Sequence, residues 1–167
     1  MLVQDRSTAI RRFLRGESSM QLSSSTLNWP GLVIEKHIAP IGERPETIID
    51  PFLLCLWQGQ TAARCEHANS RGAFVFRVIQ PGTMTLYSPG AVAPVRPFTL
   101  SNFLLCALDR KFLYEVREEM KDEGSIRTYS TSPAIVEDQA SFNDPSLRKI
   151  LLLLQEEAKL GGLTGAL

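Results

Sequence analysis

The stretch that decides the fold is Val78–Arg96, VIQPGTMTLYSPGAVAPVR. Two Pro-Gly pairs, Pro81-Gly82 and Pro89-Gly90, bracket the six residues TMTLYS. Proline fixes φ and glycine permits a positive one, so each pair favours a tight turn. Between the turns Met84 and Leu86 point one way, and Thr83, Thr85 and Tyr87 the other. This is a half-buried strand clipped between two corners, which predicts a sheet that folds back on itself.

The residues on either side carry the same signature. GLVIEKHIAP alternates and is broken by Pro40, Gly42 and Pro45; FLLCLWQGQ is a continuous apolar run, short enough for a strand buried on both faces. RGAFVFRVIQ alternates with Phe74, Phe76 and Val78 on one face, and FTLSNFLLCALD supplies a further strand. Short strands separated by turn chemistry indicate a sandwich or barrel over residues 29–108. Ahead of it, residues 1–28 read as a short helix, with Ile10, Phe13 and Leu14 on one face, and a serine-rich linker.

After Asp109 the period changes. Asp109 is a suitable N-cap; Phe112, Val116 and Met120 repeat every four residues, and Gly124 ends the helix. A second helix starts at Asn143 or Asp144 with Pro145 in its first turn. Leu147, Ile150, Leu151, Leu154 and Ala158 form its main apolar stripe, and Gly161-Gly162 is expected to stop it. Leu153 and Leu160 lie off that stripe and close to one another, which predicts a second, self-associating face. Residues 109–167 thus read as a helical segment, and the whole as mainly β with C-terminal helices.

Composition limits the function. The 167 residues carry 18 basic and 18 acidic side chains, so there is no electrostatic footprint for nucleic acid or an anionic membrane. Cys55, Cys65 and Cys106 are odd in number and widely spaced, which fits a reducing, cytoplasmic setting. Only two histidines occur, His37 and His67, too few for the converging ligands of a metal-holding barrel, and no cofactor-binding motif is present. Cys65 and His67 would share one face of a strand as thiolate and base, but Asn69, Ser70, Arg71 and Gly72 follow, which favours a polar turn. A barrel interior lined by Phe74, Phe76, Met84 and Leu86 would enclose a small apolar molecule or be filled by its own side chains, and Trp57 and Tyr87 are either aromatic lining or ordinary core and surface. Arg77 is expected to face solvent, or else to read an anionic ligand group.

In this order the motifs resemble a known family. The WPG-initiated strand, the ERP turn, PGTMTLYSPG, ALDRKFLYEV and FNDPSLRKILLLLQEEAKLGGLTGAL resemble the N-terminal effector and dimerisation domain of AraC-type bacterial transcription regulators. The resemblance covers Trp29 to Leu167. It implies a cupin-like barrel followed by two helices, a small-molecule effector, a homodimer joined through Leu153 and Leu160, and no enzymatic activity. DNA would be met only through a helix-turn-helix region, for which the five residues after Gly162 are too few. Family members often carry a histidine shortly after the second Pro-Gly; PGAVAPVRP has none, and Arg96 is the charged candidate there. A small metal-dependent cupin-type enzyme and a purely structural dimerisation module are the alternatives.

Overall fold

At the first Pro-Gly pair the chain turns as its residues require. Thr83 N–H donates to the Gln80 carbonyl at 3.1 Å and Gly82 sits at φ +87°, a type II turn with proline and glycine in their preferred places. Gly82 N–H donates to the carbonyl of Trp57 at 2.8 Å, which fastens the turn to a neighbouring strand. The second pair is a corner of another kind. Gly90, at φ +135°, is where the chain leaves one sheet and enters another.

The computed structural model describes residues 3–122 and 140–164. Within them run α1 (Val3–Leu14), β1 (Ser19–Ser23), a 3₁₀ turn (Ser25–Leu27), β2 (Leu32–Ala39), β3 (Thr47–Ile49) and β4 (Phe52–Trp57). Next come β5 (Ala63–Ala68), β6 (Phe74–Ile79), β7 (Met84–Tyr87), β8 (Gly90–Val92), β9 (Val95–Pro97) and β10 (Ser101–Leu108). The chain continues with α2 (Arg110–Asp122), β11 (Ala140–Phe142) and α3 (Pro145–Thr164). Gly124, expected to end α2, lies outside the described residues.

All pairings are antiparallel. A six-stranded sheet has the order β1-β2-β10-β4-β7-β11, a three-stranded sheet β6-β5-β9, and β3 pairs with β8. Alternation sorts the large sheet into two apolar faces. On the inner face Val33, Leu53, Cys55, Tyr87, Phe103, Leu105 and Ala107 pack with Ile49, Val92 and the α1 residues Ile10, Phe13 and Leu14. On the outer face Ile34, Leu54, Leu56, Met84, Leu104 and Cys106 pack against Leu151 and Ala158 of α3. The continuous apolar run of β4 is therefore a strand covered on both sides, as its composition predicts.

Three expectations about the flanks change. The serine-rich segment is no linker: Ser19–Ser23 is β1, paired with β2. The described residues before β2 are likewise part of the core, because Ile10, Phe13 and Leu14 are buried and Arg6 bonds Asp109 at 2.9 Å. Gly161-Gly162 does not stop α3, which continues to Thr164. Gly161 lies so close to Leu27 that an added Cβ would meet its Cδ2 at 2.5 Å, so the glycine permits a close approach instead. Asp144, not Asn143, caps α3, its Oδ1 accepting from the N–H groups of Ser146 and Leu147 at 2.9 and 3.0 Å. Of the stripe on α3, Leu147, Leu151, Leu154 and Ala158 face the sheet, whereas Ile150 is 52% exposed.

Candidate functional site

Between the inner face of the large sheet and β5–β9 the side chains leave a cavity. It is walled by Phe13, Arg15, Arg44, Cys55, Trp57, Ala63, Cys65, His67, Tyr87, Val95, Pro97, Ser101 and Phe103. The volume open to the centre of a water molecule is about 30 Å³. Edge-on aromatic pairs set much of the wall. Trp57 meets Phe103 with centroids 5.5 Å apart, and Phe13 meets Tyr87 at 4.7 Å.

Of the residues expected to line the barrel, Trp57 does so. Met84 and Leu86 belong to the outer face: Met84 is opposite Leu56 and Leu86 opposite Leu54, beneath α3. Thr85 and Tyr87 take the inward positions of that strand. Phe74 and Phe76 point to the outside of the small sheet, opposite Ala68 and Glu66. Phe76 is 55% exposed and stacks on Phe98 at 6.3 Å. Arg96 also points outward, its guanidinium 3.6 Å from the Phe74 ring centroid and its Nε 2.9 Å from Glu43. Arg77 is exposed as expected, yet opposite Cys65 in the register, on the face that carries the cavity. In β7 the more polar set, Thr85 and Tyr87, turns inward because α3 covers Met84 and Leu86, and in β6 neither face is deeply buried, so alternation separates the faces without saying which is inside.

Cys65 and His67 are not in a turn. They lie on β5 and both reach the cavity, while the turn follows at Asn69–Gly72, where Asn69 Oδ1 accepts from Arg71 and Ala73 N–H. Burial pushes the Cys65 thiol up to about 11, and Arg77 only partly offsets this. Burial, then the charges of Arg77 and Arg15, push His67 down to about 4. Near neutral pH the pair is thus a thiol beside an uncharged imidazole, the opposite of an activated thiolate with an imidazolium.

The sequence reading missed two arginines. Arg15 follows α1 in the left-handed region, at φ +52°, which aims its side chain back under the barrel. Its Nε donates to the Phe13 carbonyl at 3.0 Å, and its Nη1 to the carbonyls of Pro45 and, at 3.1 Å, Ala93. Arg44 is held by a bridge of its backbone to Val95, and its Nη2 donates to the Pro40 carbonyl at 3.2 Å. Burial lowers both guanidinium pKa values, Arg15 to about 10. Neither position carries a sequence signal, because a lone arginine between Glu43 and Pro45 reads as surface.

The two histidines contrast. His37 Nε2 bonds Glu35 at 2.8 Å and its Nδ1 meets Ser18 Oγ at 3.1 Å, a buried and satisfied cluster beneath β1. His67 is equally buried, but its Nδ1 has no hydrogen-bond partner. Among the described residues no three His, Cys, Asp or Glu side chains converge as a metal centre needs. Two guanidinium groups in the same wall would also repel a cation, so these residues do not fit the metal that the fold family often holds.

No family model and no curated protein matches the sequence. Among solved structures, an apo variant of ToxT from Vibrio cholerae superposes with TM-score 0.56 at 9% identity, over 77% of this chain and 48% of that one. A cupin domain from Bordetella pertussis Tohama I matches 56% of this chain and 92% of its own, at 12% identity and TM-score 0.42. An oxalate decarboxylase variant from Bacillus subtilis matches 68% and 34%, at 13% identity and TM-score 0.37. This chain thus spans about half the ToxT length. With the sheet order above, the likeness to ToxT is one of fold: the chain is a cupin-like β barrel with C-terminal helices.

Proposed function

We propose that this chain is the effector-sensing and self-associating half of an AraC-type regulator. One observation carries the reading: the barrel encloses a cavity whose wall presents buried polar groups but no activated nucleophile and no metal-ligand set. Such a cavity recognises a molecule without transforming it. The likeness to ToxT, an AraC-family regulator, supports the same reading at the level of fold. DNA recognition belongs to a helix-turn-helix region elsewhere in such a regulator. Self-association with a second copy uses the exposed stripe of α3, Ile150, Leu153 and Leu160.

The test is a thermal-denaturation screen with small acids, amides, alcohols and sugars, followed by NMR of the compound after long incubation. A compound that raises Tm and is recovered unchanged supports the sensor. Its steady consumption by a small molar fraction of protein would replace the sensor with an enzyme, and a screen without any stabiliser would leave a structural module.

A further inference from the structure

We infer that the cavity holds a compact carboxylate, gripped between Arg15, Arg44 and His67. The inference rests on the sensor reading and names the chemistry of its effector. None of the described residues lining the cavity is Asp or Glu, and no described carboxylate lies within ion-pair distance of Arg15 or Arg44. Both guanidinium groups bond backbone carbonyls instead. Carbonyl oxygens satisfy N–H donors but do not neutralise charge, and buried charges are ordinarily paired. Arg44 is only 8% exposed. Each guanidinium has five donors in a planar fork, so bonds to carbonyls leave donors for a ligand.

The wall supplies two further groups. His67 is 7% exposed, faces the cavity, and its Nδ1 is buried without a partner. As the Nδ1–H tautomer, this nitrogen donates to an anion; beside two cations, an anion is also the ligand that relieves repulsion. Tyr87, 4% exposed and kept neutral by burial, adds its hydroxyl to the same wall. Phe13, Trp57, Val95, Pro97 and Phe103 make the rest apolar. A polar end and an apolar body call for a carboxylate on a short hydrocarbon, not an inorganic oxyanion. The cavity volume of about 30 Å³ limits that hydrocarbon to a few carbons.

The experiment pairs each acid with its amide: propionate with propionamide and butyrate with butyramide, at constant ionic strength, with chloride and inorganic phosphate as controls. Readouts are Tm and the ring ¹⁵N resonances of His67. The expected result is that at about a hundredfold excess over Kd the acids raise Tm by roughly 5–10 °C and shift His67. The amides and phosphate do neither. Arg44→Gln is expected to weaken the acids at least about tenfold. Arg15→Lys, which keeps charge but loses the fork, gives an intermediate loss and serves if the first variant does not fold. Amides that act as strongly as acids would overturn the carboxylate and leave the sensor standing, and so would phosphate acting as strongly as propionate. Acids that move neither readout would overturn the inference, while a neutral stabiliser from the wider screen would still sustain the sensor.

Discussion

The two faces of the six-stranded sheet are built from the same strands and do opposite things. Its outer face is apolar under Leu151 and Ala158, with Ile34, Leu54, Leu56, Met84, Leu104 and Cys106, and turns polar at Lys36, Asn102 and Gln58, the last bonded to Gln155 of α3. Its inner face begins the same way, then opens into a cavity bounded by two arginines and an unsatisfied histidine. Packing like the outer face stabilises; a wall like the inner one, with Arg44 buried and Arg15 half-buried and no described carboxylate paired to either, works against folding until something neutralises it. Both sides carry a buried core, and only the inner one also carries the proposed recognition wall.

The largest expected effect tests the outer face. Leu104→Ala removes a fully buried side chain beneath α3 and is expected to cost about 3 kcal/mol, read as a lower midpoint in urea unfolding. A loss below about 1 kcal/mol would mean that α3 is not firmly seated there.

Next comes pH, acting on the inner face. The folded pKa of His67, about 4, lies below the unfolded value of 6.5. On acidification the unfolded chain therefore takes up the proton first. Stability from this group is full above about pH 6.5, falls as pH drops towards about 4, and then levels. The loss between about pH 7 and pH 5 is about 2 kcal/mol by this linkage. Denaturant unfolding at the two pH values measures it, and His67→Gln removes this group's share of the slope.

A smaller effect with the opposite sign sharpens the contrast. Arg44→Met replaces a buried cation by an apolar side chain of similar length, and is expected to leave the ligand-free protein as stable or up to about 1 kcal/mol more so. A clear destabilisation would make Arg44 a structural residue rather than part of a recognition wall. Smallest of all, Leu153→Glu on the exposed side of α3 should change unfolding free energy by no more than about 0.5 kcal/mol. Sedimentation is expected to show a wild-type dimer and a monomeric variant; equal association of both would remove Leu153 from the interface.

Much of the fold was readable from residue order alone. Pro81-Gly82 makes its turn and Asp144 its cap through interactions within a few residues, and FLLCLW is apolar at successive positions and so fits a strand covered on both sides; α2 does start after Asp109, whose carboxylate pairs with distant Arg6. What lies inside the barrel depends on which face of a two-sided strand meets which sheet. That is a tertiary fact, and nothing in the alternation of Met84, Leu86, Phe74 and Phe76 shows that they face outward. The site itself was least legible. Arg15 and Arg44 are brought together by the end of α1 and a single bridge to Val95, and nothing local marks either. Only the Cys65–His67 spacing hinted at the cavity, and it was outweighed by the turn residues that follow.

One further consequence concerns β6. Among the described residues it pairs on one side only, and Val75, Phe76 and Val78 stand exposed along it. An open, hydrophobic rim of this kind templates unwanted strand addition between molecules when a protein is concentrated. Phe76→Lys, on the outward face opposite Glu66, would blunt that rim and keep the material in solution, without touching the cavity side of the small sheet.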